Sequence, residues 1–391
     1  MPGPLKGLKI LDFTTLLPGP FATMNLADLG AEVLNIRSGS RPDLTTLLPP
    51  FIPGTSLSVA SAFLGRGKRS LTLNLKHPRA MTVVERLLAT HDIIIEQFRP
   101  GVMEKLGFSY EQLRVQCPGL IYCSLTGYGQ TGPMKDRAGH DINYLSRSGL
   151  MDYAGRREGG PVPFPMQLAD VASGSYNSII AILAAVISRQ RTGEGQHLDI
   201  SMTDGAIAFN AVVASAYLVT GEEPGREEYI LNGGSLYDFY ATSDGRYISF
   251  GGLEPQFFAA FCQAIGRPDL IPGGVAPADA RVKEEIREII RKKTREEWTA
   301  IFSGTDSCVE PVLSLAEVLN SDLVLEREMV VEVPMTEGKV RQMAHPVKYS
   351  ATPPEYSSAG VKAGTHNTCI LRELGFAAEE ITMFEKTGLF S

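Results

Sequence analysis

The chain is poor in the residues that build metal centres and disulfide frameworks. Its five cysteines (117, 123, 262, 308 and 369) are scattered, odd in number and never spaced as CxxC. That spacing argues against a zinc site and a disulfide scaffold, and it suits a reducing compartment. The six histidines (77, 91, 140, 197, 345 and 366) show no HxxxH spacing, so no metal centre is expected. There is no basic block, and 37 Lys+Arg against 44 Asp+Glu leave a net charge of −7. Such a chain lacks the electrostatic footprint of a nucleic-acid binder. The most apolar helical stretch, residues 178–188, is too short to span a bilayer. "MPGPLKGLKILDF" has no continuous apolar core, which sets aside a signal peptide, and the final "GLFS" is not a peroxisomal tripeptide. A cytoplasmic protein with no nucleic-acid or membrane partner is the expectation.

With 391 residues there is chain enough for two globular domains. The first half alternates short apolar runs with helical spacing. "LKILDFT" (8–14) is followed by the turn "LLPGP", the helical "FATMNLADL" stopping at Gly30, and the strand "AEVLNI". A strand, a helix and a strand within thirty residues form a βαβ unit, which implies a parallel sheet. The pattern continues through "SLTLNL" (70–75), "DIIIEQ" (92–97), "LIYCSLTGYG" (120–129), a helix over 171–190, "HLDISM" (197–202) and a helix over 203–218. Beyond 221 the character changes. "LYDFYATSDGRYISFGG" reads as a hairpin with a Ser-Asp-Gly turn. Helices follow at about 254–265, 283–293 and 295–303. The expected fold class is α/β: a Rossmann-like parallel-sheet large domain over 1–220, a smaller α+β domain over 225–325, and a segment over 340–391 that returns to the large one.

A βαβ start invites a dinucleotide reading, but the turn "TTLLPGPFATM" lacks G-x-G-x-x-G and carries prolines on both sides of its glycine. Basic residues stand at several strand ends. Arg37 and Arg41 follow the second strand, and a forked guanidinium there suits an adenosine phosphate as well as a solvated surface. "GRGKRSLTLNLK" sets Arg66, Lys68 and Arg69 at the mouth of a strand, a placement that suits polyanion capture. Arg99, in "EQFRPG", ends another strand just before a proline-initiated helix. Together these suggest a ligand with several phosphates.

Two further residues carry acid/base character. His140, in "AGHDINYL", sits at a loop-to-core boundary, and a hydrogen-bonded loop histidine would account for it. Asp170, in "LADVASGSYNSII", precedes a long apolar helix, and capping would account for it. The small residues after it (Ala172, Ser173, Gly174, Ser175) would also let a ligand approach backbone amides and stabilise a developing oxyanion. Glu254, in "GGLEPQFF", is an acidic residue at a helix start.

These segments closely resemble the α-methylacyl-CoA racemases, within the larger group of family III CoA transferases (CaiB/BaiF type). The anchors are "LLPGPFATMNLADLGAEV", "GRGKRSLTLNLK", "FRPGVMEKLG", "LTGYGQTGP", "AGHDINYL", "LADVASG", "GGLEPQFFAAF" and "FSGTDSCVEPV", which span most of the chain. "GHDINY" with "EPQF" points to the racemase branch. The resemblance implies that His140 and Asp170 face each other across the α-carbon of an acyl-CoA, with Glu254 partnering the histidine from the smaller lobe. It implies CoA contacts at Arg37, Arg41, Leu73 and Lys76, and further contacts at Arg99, Gly139, Asp141 and Asn143. No cofactor is implied, because CoA is part of the substrate. Family members form interlocked homodimers, and the polar linkers at about 221–234 and 345–367 are compatible with that.

Two departures bear on the substrate. Residues 41–63 form a longer loop than typical racemases carry and resemble the transferase branch, and Asn232 stands where racemases often show aspartate. A CoA transferase, with Asp170 as nucleophile, is the first alternative. A non-catalytic acyl-CoA binding protein, needing neither His140 nor Asp170, is the second.

Overall fold

The computed structural model describes residues 3–275 and 280–391, so Met1 and Pro2 of the N-terminal stretch lie outside it. Six parallel strands form one sheet: β1 (Lys9–Phe13), β2 (Glu32–Arg37), β3 (Lys68–Thr72), β4 (Ile93–Glu96), β5 (Ile121–Thr126) and β6 (His197–Ser201). Their order is β3-β2-β1-β4-β5-β6. Helices cover both faces, so the central strands are apolar nearly throughout; every residue of β4 and β5 is buried. Successive side chains then serve opposite layers. Leu11, Leu34, Leu71 and Ile94 pack with Val83, Val84 and Leu87 of helix Ala80–Leu88, and with Ile370, Leu371 and Phe384 near the C-terminus. Ile10, Val33, Ile93 and Ile121 pack with Leu26 of helix Pro18–Asp28 and Ile182 of helix Asn177–Thr192. The order reverses between β1 and β4, and in open α/β sheets ligands bind outside the carboxyl ends of the strands at that point.

The chain divides into two compact units. One comprises Met1–Arg147, Pro165–Ala208 and Arg327–Ser391; the other comprises Ser148–Phe164 and Phe209–Glu326. These limits differ from boundaries at 220 and 225, because 148–164 and 209–220 belong with the smaller unit. That unit holds an antiparallel sheet of β7 (Asp238–Ala241), β8 (Tyr247–Phe250) and β9 (Val309–Pro311). Its aromatic core includes Phe250 stacked on Phe261 at 4.1 Å. The larger unit also carries the hairpin β10 (Val330–Pro334) and β11 (Lys339–Met343).

Three local expectations need correction. The helix placed at 171–190 begins as a π-helix, Ala169–Tyr176, and runs on as Asn177–Thr192. At 24 residues it is long and apolar enough to cross a membrane, contrary to the estimate from 178–188 alone, yet Ile182, Ala185 and Val186 are buried in the sheet core. The helix placed at 203–218 is two helices, Met202–Ala208 and Ala211–Thr220, parted where Ala211 takes a φ of 32°.

The third correction concerns the basic cluster. Arg66 is 1% exposed and pairs with Asp28 through two nitrogens, at 2.9 and 2.5 Å. Its third nitrogen donates to Gln342 Oε1 and to the carbonyl of Met343, which fixes β11 to the helix bearing Asp28. Lys68 is buried as well. Its Nζ donates to Asp12, to the Pro20 carbonyl and to Thr23, and burial lowers its pKa. Arg69 makes a two-nitrogen pair with Glu373 at 2.8 and 2.9 Å. These residues precede or open β3, so they stand at its amino end, and all three are occupied by carboxylates of the fold.

Candidate active site

The carboxyl ends of β1, β4 and β5 open on a cleft of about 670 Å³. Leu16, Leu17 and Pro18 line it after β1, Gln97, Phe98, Arg99 and Pro100 after β4, and Gly127 and Tyr128 after β5. The remaining wall includes Lys135, Arg137, Gly139, His140, Asn143, Tyr144 and Asp170. Pro18 occupies the first position of its helix, where no backbone donor is needed, so the chain turns sharply out of β1. Gly19 follows under steric compulsion, since a Cβ there would lie 2.3 Å from the Thr14 side chain. Its N–H donates to Gln97 Oε1 at 3.2 Å and joins the β1 and β4 turns. Beneath the β4 turn, buried Glu96 accepts from the Phe98 N–H at 2.8 Å, and burial pushes its carboxyl up to about 7.

His140 stands just before helix Asp141–Arg147. Its carbonyl accepts from the N–H groups of Asn143 and Tyr144, while its own N–H donates to Asn143 Oδ1 at 3.0 Å. Asn143, expected as a CoA contact, therefore closes the turn that presents the histidine. Tyr144 anchors that turn from below. Its hydroxyl donates to the Gly139 carbonyl, and its ring packs edge-on to Tyr128 at 5.2 Å. A Cβ at Gly127 or Gly139 would fall 2.3 or 2.6 Å from that ring, so both positions require glycine. Burial pushes the Tyr144 hydroxyl up to about 12, with a further contribution from Asp170. The imidazole itself is exposed.

Asp170 lies one residue inside its π-helix, and the preceding Leu168 is the N-cap residue, so capping is not its task. Such π-helical turns recur at functional sites. Its N–H donates to Asp141 Oδ1 at 2.9 Å. Burial, and secondarily the Asp141 charge, push its carboxyl up to about 7. The carboxylate has no hydrogen-bond partner among the described residues. The small residues after it serve packing. Ser173 Oγ donates to the Met202 carbonyl and Ser175 Oγ to the Pro18 carbonyl, each at 2.6 Å. A Cβ on Gly174 would meet Met202 at 3.0 Å. Ser173, Gly174 and Ser175 are therefore buried against protein, which corrects the expectation of open amides there.

The structure thus brings His140, Asp170, Arg99, Gly139 and Asn143 to one cleft. Asp141 supports Asp170 through its backbone. Arg37, Arg41, Leu73 and Lys76 do not line that cleft. Leu73 is 2% exposed and belongs to the sheet core, while Arg41 and Lys76 are exposed. Arg37, at the end of β2, donates from Nε to Asn35 Oδ1, and its Nη1 is buried without a partner. Glu254 belongs to the smaller unit, exposed at the N-cap of helix Pro255–Ala264. Lys135 and Arg137 carried no sequence signal beyond a loop position, and Gln97 none beyond the end of the strand expected over 92–97, because their convergence depends on strand order. No group of metal-ligating side chains is present among the described residues.

Residues 5–367 match the model of CoA-transferase family III. The chain is 36% identical to alpha-methylacyl-CoA racemase of Mus musculus, over 96% of this chain and 95% of that relative. It is 34% identical to succinyl-CoA:glutarate CoA-transferase of the same species, over 95% of this chain and 86% of that relative. A CAIB/BAIF family protein from Brucella suis has a similar structure, with a TM-score of 0.84 and 29% identity, over 96% of this chain and 100% of that one. The cleft at the sheet's reversal point thus belongs to an enzyme, and the chain is a member of the family III CoA-transferase superfamily.

Proposed function

We propose that this enzyme inverts the α-carbon of 2-methylacyl-CoA thioesters by two-base proton transfer. The observation that carries the reading is the pairing of His140 with Asp170 in one cleft, where burial holds the Asp170 carboxyl near 7. A group titrating there serves equally as proton acceptor and donor at neutral pH. One residue removes the α-proton, the C–H electron pair passes to the thioester carbonyl as an enolate, and the other residue returns a proton to the opposite face. Histidine and carboxylate then stand in each other's starting protonation states, ready for the reverse reaction. Arg99, Lys135 and Arg137 supply positive charge along the cleft for the CoA phosphates. Arg37, with its unpartnered buried nitrogen, is suited to the adenosine phosphate. A cytoplasmic homodimer accompanies this reading, and exposed Val212, Leu218 and Val219 on helix Ala211–Thr220 offer it apolar surface.

A second reading is favoured by the near-equal identity to a CoA transferase. Asp170 would attack the thioester carbonyl and release CoA thiolate, which would then convert the mixed anhydride to an aspartyl-CoA thioester and free acid. Incubating one enantiomer of a 2-methylacyl-CoA in heavy water, without an acceptor acid, separates the two. The racemase reading expects deuterium at the α-carbon and loss of optical purity on the same timescale. Retention of the α-hydrogen, with CoA moving readily to an added carboxylate, would assign the enzyme to the transferases.

A further inference from the structure

The loop at 41–63 is folded against the cleft, with short helices Leu44–Leu47 and Val59–Leu64. Thr45 lines the cleft beside Leu16, Leu17 and Pro18. The contact between the two segments is made by Asp43. One carboxylate oxygen, Oδ2, accepts the Leu16 N–H at 2.9 Å. The other, Oδ1, accepts the Thr45 N–H and hydroxyl, both at 2.9 Å, and caps the first short helix. Ser58 Oγ donates to the Thr45 carbonyl and closes the loop on itself.

Leu16 has a φ of 62°, a left-handed conformation that residues with a Cβ avoid. A leucine stays there only where its surroundings hold it. Two residues on, the Pro18 carbonyl accepts from Ser175 Oγ at 2.6 Å, and the Asp170 carbonyl, 3.1 Å away, shares the same hydroxyl proton. A chain of polar contacts therefore runs from Asp43 through the strained Leu16–Pro18 turn to the backbone of Asp170. We infer that Asp43 is a positioning residue, which holds Leu16 in its left-handed conformation so that the Leu16–Pro18 turn supports Asp170 in the cleft. The loop at 41–63 is the clamp that supplies it. This inference rests on the proposed function for the catalytic role of Asp170 and for its choice of activity assay.

The test is a double-variant cycle. Asp43→Ala is expected to lower kcat about tenfold, the factor that follows from about 1.4 kcal/mol of lost positioning, with the Kd for free CoA unchanged. Glycine adopts the left-handed region without help. In a Leu16→Gly background the same Asp43→Ala change should therefore cost less than about threefold. A full tenfold loss persisting in that background overturns the inference. So does a loss of CoA affinity in place of turnover, which would place the action of Asp43 on Arg37, whose charge it also feels. Should Asp43→Ala not fold, Asp43→Asn enters the same cycle, since one amide oxygen cannot replace both carboxylate contacts. The cycle is read on α-hydrogen exchange or on CoA transfer, whichever the unaltered enzyme performs. An enzyme performing neither contradicts the proposed function. Amide hydrogen exchange at Leu16 in ligand-free protein then decides the clamp alone: faster exchange in Asp43→Ala supports it, and unchanged exchange overturns it.

Discussion

The backbone N–H of Asp170 donates to the carboxylate of Asp141, 2.9 Å away, and Asp141 is the residue next to His140. The two proposed bases are thereby tied through one side chain. That side chain also carries a charge which, after burial, helps to raise the Asp170 pKa. Asp141→Asn keeps an oxygen acceptor and removes the charge, so the Asp170 pKa should fall below its value of about 7. In the direction where Asp170 removes the proton, the acid limb of the kcat–pH profile should move to lower pH, with activity at the plateau largely kept. Asp141→Ala removes the tie as well and should lose turnover at every pH. Superimposable profiles for the Asn variant and the unaltered enzyme would mean that Asp141 has no electrostatic part.

His140→Ala and Asp170→Asn should each lower turnover by about 10²–10⁴-fold, the usual contribution of a positioned acid/base group. Neither side chain is bonded within the fold among the described residues, so circular dichroism should change little, as should melting behaviour at pH 4 or below, where the Asp170 carboxyl is protonated in the folded protein. Because each removes one half of a two-base relay, the double variant should be scarcely slower than either single one. Multiplicative losses in the double variant would show that the two residues act independently.

The same carboxyl makes stability depend on pH. Its folded pKa of about 7 lies above the ordinary value of 3.8, so the folded state holds the proton more tightly. The stability linked to that proton is complete below about pH 4 and is lost progressively as the pH rises towards 7. Asp170→Asn cannot ionise. Its melting temperature should exceed that of the unaltered enzyme by a margin that grows from pH 4.5 to 7 and then levels off. Glu96, also raised to about 7, contributes the same trend to both proteins and cancels in the comparison.

The parallel sheet is legible in the sequence because each strand is a short apolar run bounded by turn residues, and βαβ connections leave few topologies. Observed strands differ from the expected spans by at most three residues at their ends, as at β3, which starts at Lys68 rather than Ser70. The site is legible only in part. Local spacing shows neither that Asp141 reaches the Asp170 amide, 29 positions away, nor that Asp43 reaches Leu16 across 27. Charge is the least legible property. The run Arg66, Lys68, Arg69 has the composition of an anion site, but its partners Asp28, Asp12 and Glu373 come from distant segments that only the folded chain brings together.

Arg66 and Arg99 give the sharpest contrast in behaviour. Arg66 is buried against Asp28, and removing one member of a buried pair leaves the other charge uncompensated, at about 3–5 kcal/mol. Arg66→Ala should therefore lower the denaturant midpoint strongly while leaving CoA affinity, measured on the folded fraction, unchanged. Arg66→Met with Asp28→Leu should recover much of the loss, since no charge is then stranded. Arg99 is exposed in the cleft and makes no ion pair among the described residues. Arg99→Glu should leave stability within about 0.5 kcal/mol, the usual range for surface substitutions. It should weaken CoA binding and flatten its dependence on ionic strength, because a screened attraction has been lost. Calorimetric titration of CoA at two salt concentrations, beside urea unfolding, reads both effects. Unaltered CoA affinity in Arg99→Glu would remove Arg99 from the phosphate site. Weakened affinity in folded Arg66→Ala would return the basic cluster to it.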